Sequence, residues 1–64
     1  MPRIIIQALR GRSVVQKREL ARRLTADVVE VFKVPADAVT IWLDEGEPEN
    51  YARAGELGID QKGS

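Results

Sequence analysis

The segment RIIIQAL, Arg3–Leu9, limits what this chain can become more than any other. Three successive isoleucines are β-branched and read as a strand. Its side chains alternate between two faces, with Ile4, Ile6 and Ala8 on one and Ile5, Gln7 and Leu9 on the other. Both faces are largely apolar, the pattern of a strand covered on two sides. The remainder of the chain offers one long helix, and one helix shields one face. The second face has no cover within the chain, and an exposed apolar surface of that kind marks a partner site. Identical copies are the simplest partner.

The strand breaks at RGRS. Gly11 permits a turn, Ser13 is a good N-cap, and Gln16 three residues later completes an S-x-x-Q capping box, so the helix is expected to begin at Val14. Leu20, Leu24 and Val28 recur every four residues, with Ala21, Val31 and Phe32 widening the stripe. Lys17, Arg18, Arg22, Arg23 and Glu30 fall mainly outside it. Lys33 suits the negative end of the helix dipole. Pro35 restricts Val34 and ends the helix near Phe32. AVTIWL, residues 38–43, reads as a second strand in which Val39, Ile41 and Leu43 alternate with Thr40 and Trp42. DEGEPEN, residues 44–50, reads as an acidic, turn-rich loop, and YARAGELGID, residues 51–60, as a short hairpin or ribbon. The crossover should be right-handed and the two strands parallel. The expected fold is therefore α/β, a single domain over residues 1–64: a β-α-β unit of two parallel strands, one long helix and a short C-terminal hairpin, completed by oligomerisation.

A chain of 64 residues buries only about 60% of the surface its unfolded form exposes. Scaffolds this small usually add disulfides, a metal or partner subunits. Cys and His are both absent. That removes disulfides, thiolate nucleophiles, the usual zinc ligand sets and Ser-His or Cys-His catalysis, which leaves self-association as the staple. The lack of Cys fits a reducing cytosol. No apolar run has the length of a membrane span, and there is no signal-peptide pattern. A cytoplasmic location without a membrane partner is expected.

The net charge is zero but segregated. Residues 1–33 carry eight basic side chains against three acidic ones, and residues 34–64 carry two against seven, a split of +5 and −5. Two solvated faces account for such a split. A sharper reading is head-to-tail attraction between subunits, with a local positive site for small anions. Nucleic-acid binding through Lys17, Arg18, Arg22 and Arg23 is disfavoured by the neutral balance and the sparse aromatics.

Without His or Cys, the available general bases are carboxylates, lysines and the α-amino group. The carboxylates show no pairing suited to acid/base work. Removal of Met1, favoured before a small residue, would leave Pro2 with a free secondary amine. An α-amino group titrates near neutrality, and an apolar pocket or a neighbouring arginine disfavours its cation. Pro2 beside three isoleucines is thus a candidate base that works without histidine. Proline is also simply tolerated at the first residue of a strand.

The chain as a whole resembles the 4-oxalocrotonate tautomerase family. The residues that carry the likeness are MP before an apolar strand, LRGRSVVQKREL, VPADAVTIWLDE and PENYARAGEL, in the family's order and spacing over nearly the full length. The G-R-[ST]-x-x-Q-K helix entry, here Gly11, Arg12, Ser13, Gln16 and Lys17, is its most specific piece. The resemblance implies that Pro2, freed of Met1, is the general base. It would shuttle a proton between an enol hydroxyl and a carbon of a conjugated 2-oxo acid, with no metal or organic cofactor, in aromatic compound degradation. It implies that Arg12 binds a substrate carboxylate, for which a planar fork is well suited. Tyr51 and Leu9 fall at wall positions of the pocket. Small members form hexamers, trimers of dimers, with each site drawing on more than one subunit.

Two departures from the family pattern matter. A second arginine, supplied by a neighbouring subunit, would fall at Thr40, whose hydroxyl donates a hydrogen bond but no full charge; losing such a group costs on the order of 10²–10³ in rate. Efficient action on the family's reference dienol diacid is therefore not expected unless Arg10 or Arg53 replaces the charge. Arg53 also stands near the acidic residue that activates water in hydratase and dehalogenase relatives, which disfavours that chemistry, although Glu49 and Glu56 lie nearby. The alternative to an enzyme is an oligomeric binding or scaffolding domain of the same fold. Trp42 reads as a core or interface residue rather than a pocket wall.

Overall fold

The structure is a computed structural model that describes residues 1–61. Lys62, counted in the acidic half above, lies outside the described residues. The elements follow one another as β1 (Arg3–Leu9), α1 (Val14–Phe32), β2 (Thr40–Gly46), β3 (Ala52–Arg53) and β4 (Glu56–Leu57), with 3-10 turns at Ala36–Ala38, Pro48–Asn50 and Gly58–Asp60. β1 and β2 are parallel, in a register that sets Arg3 against Thr40, Ile5 against Trp42 and Leu9 against Gly46. β3 and β4 form a separate antiparallel hairpin.

Helix α1 starts where the capping box places it. The Ser13 hydroxyl accepts from the Gln16 amide at 3.1 Å, and the Gln16 side chain accepts from the Ser13 amide at 2.9 Å. Such a cap contributes about 1 kcal/mol. At the other end Lys33 turns left-handed (φ 59°) and its amide reaches the Val29 carbonyl, closing the helix two residues before Pro35. In the hairpin, Ala54 and Gly55 both have positive φ (55° and 81°), as a two-residue type I′ turn requires.

The second strand differs from the expected residues 38–43. Pro35 initiates a 3-10 turn in which the Ala38 amide bonds to the Pro35 carbonyl and the Val39 amide to that of Ala36, which takes both residues out of the ladder. At the far end the seven residues of β1 need seven partners, so Asp44, Glu45 and Gly46 join the strand rather than the acidic loop.

The helix face also shifts. Lys17 lies on the inner side and pairs with Glu45 of β2, while Val31 and Phe32 are 71% and 62% exposed. The reason is length. Nineteen helical residues span about 28 Å and seven strand residues about 23 Å, so the last turn overhangs the sheet.

Among the described residues none is buried. Ile4, Ile6, Ile41 and Leu43 face α1 and are half-buried, whereas Ile5 and Trp42 on the opposite face are 58% and 67% exposed. The radius of gyration is 15.1 Å, against about 11 Å for a compact chain of this length. The molecule is drawn out to 43 × 23 × 15 Å. No helix among the described residues is long and apolar enough to cross a membrane.

Candidate active site

Pro2 precedes the first residue of β1 and is half-buried. Its carbonyl accepts from the Thr40 amide at 3.1 Å and from the Thr40 hydroxyl at 3.4 Å. The register puts Thr40 there, because it opens β2 opposite Arg3. Around this end lies an open depression of about 350 Å3, lined by Met1, Arg3, Thr40, Ile41 and Trp42. While Met1 is attached, the Pro2 nitrogen belongs to an amide and cannot act as a base.

The other predicted residues gather at the far end of the sheet. Leu9 closes β1, and with Gln7, Ala8, Asn50 and Tyr51 it lines a second depression of about 430 Å3. Tyr51 reaches this place because the Pro48–Asn50 turn folds the chain back after β2. Arg12 follows in the loop to the helix, with its Nη1 donating to the Leu9 carbonyl at 3.4 Å. It also borders a third cleft, of about 380 Å3, between helix and sheet, whose floor is Ile6, Ala8, Leu20 and Leu43. Arg53 lies on the hairpin, two residues beyond Tyr51 and opposite Glu56.

The two groups are far apart. Six steps of strand separate Arg3 from Leu9, about 20 Å. Within one copy, Pro2 and Thr40 therefore cannot meet a small substrate held by Leu9, Arg12 and Tyr51.

The cations differ in their pairing. Arg10 pairs with Glu47, Lys17 with Glu45, and Arg22 and Arg23 share Glu19 at 2.6 and 2.7 Å. The hydrogen bonds from Arg22 and then Arg23 hold the Glu19 carboxyl below the usual glutamate range. Glu19 in turn raises Arg22. Among the described residues Arg12 and Arg53 form no ion pair, so their charges remain available, while that of Arg10 is met by Glu47. No group of acids among them is arranged to hold a metal ion.

The sequence did not point to Gln7 and Ala8 as neighbours of Tyr51. Their approach depends on the turn after β2, which no spacing rule encodes.

Known proteins resemble this chain over nearly its whole length. The Tautomerase family, described as tautomerase enzyme, matches residues 2–60. A probable tautomerase of Halalkalibacterium halodurans is 34% identical over 61 residues, which covers 95% of this chain and all of that protein. The crystal structure of a 4-oxalocrotonate tautomerase homologue superposes with a TM-score of 0.92 at 33% identity, covering 98% of this chain and all of that one. A heterohexamer 4-oxalocrotonate tautomerase from Chloroflexus aurantiacus gives 0.85 at 34% identity, covering 97% of this chain and 100% of that chain. The β-α-β fold with its short hairpin is thus shared with these relatives, and the chain belongs to the tautomerase family.

Proposed function

We propose that the protein is a cofactor-independent tautomerase of conjugated 2-oxo acids, with the amine of Pro2 as its base once Met1 has been removed. The uncharged amine takes the proton of the enol hydroxyl. The oxygen lone pair closes the carbonyl, the conjugated double bond shifts, and the prolinium returns the proton to carbon. Atoms and charge balance without a metal or redox partner. Arg12 from a second copy grips the carboxylate in bidentate fashion. Leu9 and Tyr51 exclude water, which disfavours the prolinium and keeps the amine basic near neutral pH.

The observation that carries this reading is the guanidinium of Arg12, which forms no ion pair among the described residues and reaches the Leu9 carbonyl at the edge of the Leu9–Tyr51 depression, whereas Arg10 and Lys17 are both paired. Thr40 at the Pro2 end supplies a hydroxyl and no charge. Substrates with one carboxylate, such as an aryl enolpyruvate, are therefore favoured over diacids unless Arg53 contributes. Because base and anion grip lie about 20 Å apart in one copy, assembly is part of the function. A closed homohexamer, a trimer of dimers, meets this need in the cytoplasm, where acids from aromatic breakdown would arise.

The test is an ultraviolet enol-to-keto assay on phenylenolpyruvate. Turnover by Met1-free protein and its loss in Pro2→Ala support the proposal; equal turnover by both overturns it. A second reading, an oligomeric binding domain without chemistry, is favoured by Thr40. An intact mass that retains methionine in normally expressed protein would select it.

A further inference from the structure

Gly58 begins the last 3-10 turn, and its backbone is not one that demands glycine, since positive φ among the described glycines occurs at Gly11 and Gly55. Space explains it instead. A Cβ built on Gly58 would sit 2.9 Å from the Pro48 carbonyl oxygen, 3.3 Å from Pro48 Cα and 3.3 Å from Cδ2 of the Tyr51 ring. The first of these is closer than real Cβ atoms come. The same carbonyl accepts from the Tyr51 amide at 3.4 Å and so closes the turn that delivers Tyr51, and the Gly58 amide donates to the Tyr51 carbonyl at 2.7 Å. The hairpin is thereby folded back onto the turn before it, and the ring of Tyr51 lies over the bare face of Gly58 while Tyr51 also lines the Gln7–Leu9 depression.

We infer that Gly58 is a positioning residue: it lets the hairpin close behind Tyr51 and sets how far that ring stands from Leu9, and so the width of the substrate pocket. The inference rests on the reading of Tyr51 as a pocket wall. Gly46 is an internal control, because it also lacks positive φ and a Cβ there would meet nothing within 4 Å.

Tyr51 is the sole tyrosine of the chain, so 3-fluorotyrosine labelling gives one fluorine resonance that reports on the ring without reference to activity. In Gly58→Ala the resonance moves, and in Gly46→Ala it stays. KM for phenylenolpyruvate rises roughly three- to tenfold in Gly58→Ala, the scale of one spoiled aromatic contact, while kcat stays within about twofold. In a Tyr51→Ala background Gly58→Ala adds nothing to KM.

An unmoved resonance with unchanged KM in folded Gly58→Ala overturns the inference. So does an equal rise in KM when Tyr51 is already absent. A moved resonance in protein that turns over no enol acid supports the positioning and removes the tautomerase reading instead. Where Gly58→Ala does not fold, amide exchange in unaltered protein decides: protection at Gly58 supports the inference, and exchange at the rate of an open peptide overturns it.

Discussion

The two ends of β1 differ in what they hold. The Pro2 end carries the candidate base, tied to Thr40 through two hydrogen bonds and flanked by Trp42. The Leu9 end carries a guanidinium that no carboxylate among the described residues pairs, an aromatic ring and the hairpin behind it. On the proposed function each end is half of an active site, and a strand about 20 Å long keeps the halves apart in one copy. On that reading the base lies just ahead of β1 and the anion grip where the sheet hands over to the helix, so only juxtaposed copies would complete the chemistry.

The largest expected effect breaks the Pro2 end. Retained Met1 converts the amine to an amide and abolishes turnover, and Pro2→Ala lowers kcat by about 10²–10⁴, the range of a general base, both read in the enol-to-keto assay. The Leu9 end is next. Arg12→Ala raises KM roughly 10- to 100-fold, the worth of a hydrogen-bonded charge pair, with a smaller change in kcat.

Mixing Pro2→Ala with Arg12→Ala under exchange conditions, assayed at substrate well below the raised KM where both are impaired, then tests the comparison itself. If each site takes Pro2 from one copy and Arg12 from another, random reassembly restores roughly one quarter of the sites. No recovery would mean that both residues serve within one copy or that neither acts. The smallest effect lies away from both ends. Glu19 sits below the usual glutamate range, so its contribution to stability is present above about pH 4–5 and is lost as pH falls through the lowered native value. Glu19→Gln should therefore lower the melting temperature slightly at pH 7, less in high salt, and not at all in strong acid, as read by calorimetry.

Much of this was legible in the residues. Ser13 and Gln16 announced the helix start through a local hydrogen-bond pattern, and three isoleucines announced β1. The positions of Pro2 and Arg12 follow from those two elements. Less legible was whatever depends on one element measuring another. Asp44–Gly46 looked like loop and became strand because β1 extends that far. Lys17 looked solvated and turned inward because Glu45 lies across the cleft. Phe32 and Val31 looked like core and overhang the sheet because the helix outruns it. Gly58 was one small residue among several in the tail, and only the approach of Pro48 and Tyr51 gives it meaning.

The missing interior has a consequence for the living cell. A lone copy freshly released from the ribosome has, among the described residues, no dry centre to hold it. On the proposed assembly, its folding free energy would be supplied by mass action, so the melting temperature should climb with protein concentration. Scarcity alone would then silence the activity, with no inhibitor needed.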